Sequence, residues 1–291
     1  MNIRAMIDAV LLSSLVTAPS PADPIGAAAK DLPLFDAHMH YKQPAWEPYP
    51  VATVIELMDR SGVAMALVSS TPDEGTIRLW QFAPERIVPE LRPYHDGAGS
   101  GNWTKAEGMQ AYLEQRLAAY DHRGIGEFHI HNLDPNDRPL LTAIAGMAKD
   151  RNIPLHIHSG AEPVRFFYEL DPGLTIIWAH AGMVEPAKVV GEMFDAYATL
   201  YADTSYRERD ILQSDGTLDP AWAAVIRRHP DRLMVGTDTW VNGQWDRYED
   251  LIALNRRWLA LLPRETAEMI AYKNAEKLFQ RPVSRDLLGT R

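Results

Sequence analysis

The stretch Leu32–His40 reads LPLFDAHMH. A short apolar run ends in a polar tail that carries two histidines two positions apart. Four to eight apolar residues make a buried strand and are too few for a helix. Side chains two apart in a strand face the same side, so His38 and His40 point together from the strand's end. No glycine-rich turn follows them. That argues against an open doubly wound sheet, which carries a phosphate-binding turn after its first strand. The same signature recurs along the chain at Val63–Ser69, Ile87–Tyr94, Gly124–His131, Ile153–Ser159, Leu174–His180, Thr199–Thr204 and Arg232–Asp238. Helical patterns fill residues 105–120, 137–151, 220–229 and 249–262 between them; Met109, Tyr112, Leu113, Leu117 and Tyr120 fall at helical spacing in the first. Eight strands alternating with helices in about 250 residues predict one α/β domain, a (β/α)8 TIM barrel over residues 30–285.

Composition narrows the chemistry. The chain has 291 residues, is 46% hydrophobic and 23% charged, and has ample material for a core. It contains no cysteine, which removes disulfides, thiolate nucleophiles and thiolate metal ligands. Any metal must be held by imidazole and carboxylate. A formal net charge of -10 argues against a broad nucleic-acid surface, which needs a basic stripe.

The active sites of such barrels sit at the C-terminal ends of the strands. His38 and His40 end the first strand, His158 the fifth, His180 the sixth and Asp238 the eighth. Each alone reads as a polar loop-edge residue. Together they are five metal-competent groups at one rim. Glu127, His129 and His131 share one parity on the fourth strand, so one face could aim all three inward. Glu127 has two readings, a metal ligand or an ion pair with an arginine such as Arg92. His156 lies one layer below His158 and reads as a hydrogen-bonding support.

With these residues in view, the sequence resembles the amidohydrolase superfamily, in its branch of short metal-dependent hydrolases and decarboxylases. The segments that carry the resemblance are FDAHMH, LHIHSG, IIWAHAG, LYADTS, RLMVGTD and the late KNAEKLF. The resemblance implies that His38, His40, His158 and Asp238 bind a divalent ion, zinc being the expected one, and that His180 binds a second ion or orients substrate. Many dinuclear relatives use a carboxylated lysine on the fourth strand. GIGEFHIHN offers none, and Gly126-Glu127 instead resembles TatD-like relatives, in which a glutamate there bridges two ions. A second ion would then be held through Glu127 and His180.

A divalent ion lowers the pKa of water from 15.7 toward roughly 7. Asp238 would act as general base and His180 would help hold the developing negative charge. The expected reaction is hydrolysis of an amide, lactone or ester in a small carboxylate-bearing substrate, contacted by Tyr41, His129, His131, Arg165, Arg207 and Trp240. Arginine suits a carboxylate because its donors form a planar fork. Decarboxylation on the same barrel is the alternative, followed by a phosphoesterase or nuclease and by a non-catalytic binding barrel. The expected partner is a small molecule, and any homo-oligomer would form through helices and loops.

The N-terminus carries a second expectation. Arg4 precedes an apolar stretch from Ala5 to Ala18, and Ser20-Pro21-Ala22 follows with small residues where a signal peptidase reads. Residues 1–22 therefore read as a signal peptide, which places the mature chain in the periplasm or outside the cell, with no membrane span; without cleavage the chain is cytoplasmic.

Overall fold

The structure, a computed structural model, describes residues 29 and 31–289. The expected signal segment, residues 1–22, lies outside the described residues. Eight strands follow in order: β1 Leu34–Met39, β2 Val63–Ser69, β3 Ile87–Glu90, β4 Ile125–His129, β5 Leu155–His158, β6 Ile176–Trp178, β7 Leu200–Asp203 and β8 Leu233–Met234. Each falls inside a stretch expected from the sequence. Neighbours in the ladders β1-β2-β3 and β4 to β8 pair in parallel.

Two seams close the ring. Between β3 and β4, the Leu91 N–H donates to Gly124 O and the Gly126 N–H to Leu91 O. Between β8 and β1, the Ala37 N–H donates to Val235 O at 2.8 Å, and the Asp238 N–H to His38 O at 2.6 Å. The molecule is a (β/α)8 barrel. Parallel neighbours need crossovers, and helices supply them. Helices Met109–Ala119, Arg138–Arg151, Pro220–Arg228 and Tyr248–Leu259 stand where periodicity placed them. The KNAEKLF segment forms helix Asn274–Phe279. Its Phe279 ring stacks on Phe35 of β1 at 5.5 Å, within a buried cluster that also holds Met65, Val88, Ile177 and Met234. The C-terminal segment is thereby fastened to strands from both ladders.

Apart from β2, which fills its run, the strands are shorter than the stretches that announced them. The expected eighth strand reached Asp238, but regular pairing stops at Met234. Asp238 has φ of 49°, a left-handed conformation that leaves the pleat. His180, Ala181, Met183 and Tyr206 also have positive φ, from 44° to 63°. These residues lie just past the C-terminal ends of β6, β7 and β8. Backbone of this kind costs about 1–3 kcal/mol per residue and persists only where surrounding contacts enforce it.

Candidate metal centre

The enforcing contacts start at β1. Asp36, fully buried, accepts from the Thr237 N–H at 3.1 Å and the Thr237 hydroxyl at 2.6 Å. The Tyr248 hydroxyl donates to it as well. The Thr239 hydroxyl accepts from the His40 N–H and donates to His40 O, both at 2.9 Å. Asp238 sits between these two threonines and is set against the histidines of β1.

Three imidazoles converge there, each with one nitrogen already tied back. His38 Nδ1 donates to Asp203 Oδ2 at 3.1 Å, His40 Nδ1 to Ser69 O, and His180 Nδ1 to the oxygens of Ser205. In the neutral rings this arrangement fixes the tautomer and leaves each Nε2 as the nitrogen that can bind a cation. His38 Nε2 and His40 Nε2 then face each other at 3.1 Å. In the neutral rings two lone pairs at that distance repel, and either a proton on one of them or a metal ion beside both relieves it. Carboxylates complete the cage. Asp238 Oδ1 is 3.2 Å from His40 Nε2 and 3.7 Å from His38 Nε2. Glu127 oxygens are 3.6 Å from His38, 3.4 Å from His40 and 3.5 Å from His180. His158 Nδ1 meets Glu127 Oε1 at 2.6 Å. His180 Nε2 and Asp238 Oδ1 are buried with no hydrogen-bond partner. Orphaned buried polar atoms are costly, and a divalent ion would satisfy both. The residues fit a metal: one set is His38, His40 and Asp238, another His38, Glu127 and His180.

The electrostatics agree. Burial would raise the Glu127 carboxyl, but His38 and Arg92 outweigh it and hold it well below the usual carboxylate range. Burial likewise opposes ionisation of Asp238, yet the His38, His40 and His180 rings bring it down to about 2. Burial disfavours charge on His38, and Asp203, Asp238 and Glu127 overcome that to lift it well above the ordinary histidine value. Protons and a metal would compete for that nitrogen.

His156 supports the cage from below, with Nδ1 on Glu90 at 3.0 Å and Nε2 on Asp203 at 3.3 Å. Burial opposes its charge, but Glu90 and Asp203 push it up to about 9. A histidine raised above its unfolded value of 6.5 stabilises the fold fully below pH 6.5 and loses that contribution as pH rises through about 9. The loss is on the order of 3 kcal/mol. Urea unfolding at about pH 6 and pH 10 measures it; the drop should be smaller in His156→Gln, and equal drops in both proteins would contradict it.

A chamber of about 610 Å³ opens over the cage, lined by Lys42, Arg92, Tyr94, His129, Tyr206 and Trp240 among others. Glu127 unites its two readings: it reaches the cage and also pairs with Arg92 Nη2 at 2.6 Å. Four expected substrate contacts fall outside the chamber lining. Tyr41 is buried, donating from its hydroxyl to Tyr49 O, because the chain turns after His40. His131 lies beyond the end of β4 and is exposed. Arg165 lies on helix Ala161–Leu170 and faces solvent. Arg207 is 4% exposed and fully engaged: it donates to His180 O, Ala181 O and Glu185 O, pairs with Asp210 and lies over Trp222. It clamps the left-handed loop that carries His180. His129 and Trp240 do line the chamber. The sequence reading did not single out Asp203, although it ends β7 as the other site residues end their strands. Tyr94 carried no sequence signal, since its role comes from a contact across strands.

The sequence profile of the Amidohydrolase family matches residues 35–281. No curated protein matches the chain. Among solved structures, a putative 2-pyrone-4,6-dicarboxylic acid hydrolase from Pseudomonas putida superposes with a TM-score of 0.59 at 17% identity, covering 87% of this chain and 99% of that one. A TatD homolog from Escherichia coli gives 0.58 at 18%, covering 86% and 99%. A dihydroorotase from Campylobacter jejuni gives 0.55 at 13%, covering 87% and 85%. At such identities the likeness speaks for the fold, while the profile spans most of the chain and every residue of the cage. The chain belongs to the amidohydrolase family, a metal-dependent hydrolase with its cage at the mouth of the barrel.

Proposed function

We propose that the protein hydrolyses a C–N or C–O bond, in an amide, lactone or ester, of a small substrate that bears a carboxylate, with zinc as its ion. One observation carries this reading: anchored imidazoles present their Nε2 atoms to one another and to two carboxylates in a buried cage. His38, His40, Glu127, His180 and Asp238 would hold the ion, with His158 beside them. A divalent ion supplies Lewis acidity and a water of lowered pKa at neutral pH. Nitrogen and oxygen donors without thiolate suit zinc.

The chain's own groups do the rest. Asp238, ionised and without a hydrogen-bond partner on Oδ1, takes the proton of the attacking water. It returns that proton to the departing nitrogen or oxygen. Lys42 lines the chamber and would draw a carboxylate of the substrate. Trp240 donates from Nε1 to the Tyr206 hydroxyl at 2.8 Å, and Gln244 reaches the same oxygen. That pair forms a wall for an apolar ring.

The test is elemental analysis of protein purified without added metal, beside Glu127→Ala, followed by a screen of lactones, amides and aromatic acids. One equivalent of metal with lactone or amide turnover supports the reading. Two equivalents falling toward one in Glu127→Ala point to a dinuclear centre and add phosphoesters to the screen. Carbon dioxide release from an acid in place of hydrolysis would mean a decarboxylase. No metal after reconstitution with zinc or manganese overturns the proposal.

A further inference from the structure

His129, His158 and Glu127 offer a nitrogen, a nitrogen and an oxygen within 4.8 Å of one another, spaced like a second metal set. Proton accounting at Tyr94 decides between a ligand and a donor. The Tyr94 oxygen accepts from the His129 backbone N–H at 2.8 Å and lies 2.8 Å from His129 Nδ1. Tyr94 is 4% exposed, and its hydroxyl has one proton to give. Were Nδ1 protonated, it too would donate to that oxygen. The phenolic proton would then be buried with no acceptor among the described residues, an arrangement native proteins avoid. With the phenol donating to Nδ1, every group is satisfied, and the proton of the neutral ring sits on Nε2. Arg92 holds the tyrosine in place: its guanidinium lies 4.6 Å over the Tyr94 ring while Nε donates to Glu127 O.

We propose that Tyr94 locks His129 in the Nε2–H tautomer, so that His129 donates a hydrogen bond to an acceptor oxygen of the substrate and is not a ligand of a second ion. The proposal rests on the chamber being the reaction site of the hydrolase. A ligand needs a bare nitrogen facing the ion, and in His129 the bare nitrogen is spent on Tyr94. The ring stacks on His158 at 3.9 Å, which places it against the Glu127 side of the cage. The substrate it selects carries a carbonyl or carboxylate oxygen next to the group that meets the cage. Tyr94 is a positioning residue, acting through His129.

Nitrogen-15 spectra of the histidine rings in zinc-loaded protein test the lock, with His129 assigned by its loss in His129→Gln. The Nε2–H tautomer is expected in the wild type and a tautomer mixture in Tyr94→Phe. Phthalate serves as an inert dicarboxylate probe. Its Kd should rise about tenfold in His129→Leu and return to within about threefold in His129→Gln, whose amide N–H can replace the ring donor. Arg165→Met, outside the chamber, should bind phthalate as the wild type does. An Nδ1–H tautomer, no phthalate binding to the wild type, an equal Kd in His129→Leu, or a second equivalent of zinc lost in His129→Gln would each overturn the proposal. Protein that takes up no metal yet keeps both the tautomer and the His129-dependent affinity would fail the hydrolase reading alone.

Discussion

Asp238→Asn should lower kcat by roughly a hundred- to ten-thousand-fold, the range lost with a general acid–base group. The amide keeps the shape of the carboxylate and can hold the positions of the threonines on either side, but it cannot take a proton. Asp238 is suited to the task by its environment. Its Oδ1 has no hydrogen-bond partner, and its Oδ2 lies 3.8 Å from His180 Nε2. The low pKa of about 2 arises because the His38, His40 and His180 rings outweigh the cost of burial. Steady-state kinetics should show the loss in kcat with little change in KM. Metal content measured alongside separates the two duties of the residue. If metal is retained and turnover is unimpaired, Asp238 is not the base.

Arg92→Met should cost about 3–5 kcal/mol in protein stripped of metal, and clearly less in metal-loaded protein. Arg92 and Glu127 are 6% and 2% exposed and meet at 2.6 Å. Removing one partner of a buried pair leaves the other charge uncompensated, and that penalty exceeds any net value of the pair itself. An ion in the cage would supply the missing positive charge to Glu127. What remains is then the lost hydrogen bonds, roughly 1–3 kcal/mol. Urea unfolding with and without a chelator measures both values. The same cost in each form would mean that Glu127 does not face the ion.

Both expectations combine residues read from the sequence with contacts it did not show. The strand-end rule located His38, His40, His158, His180 and Asp238 because each closes an apolar run, and a barrel gathers all strand ends at one rim. Glu127 was legible in type, and Arg92 already stood among its readings as the partner of an ion pair; the pairing is observed. Arg92, 35 residues away, meets it only because β3 and β4 are neighbours at the seam. The substrate contacts were the least legible. Arg207 follows a strand end as Asp238 does, yet its guanidinium is consumed by carbonyls of the loop after β6. Tyr41 follows His40 directly, yet it is buried and its hydroxyl is given to Tyr49 O.

The sequence alone determined the barrel, its eight strands and the imidazole–carboxylate chemistry of its rim. Those follow from local periodicity and from the absence of cysteine, which every residue carries wherever it ends up. Tertiary structure decided which nitrogen of each histidine is free, because Asp203, Ser69, Ser205 and Tyr94 approach from other strands. It also decided which cations are spent and which face the chamber. Hydrogen bonds and charge pairs depend on distances of a few ångströms between residues far apart in the chain, and only the closed barrel sets those distances.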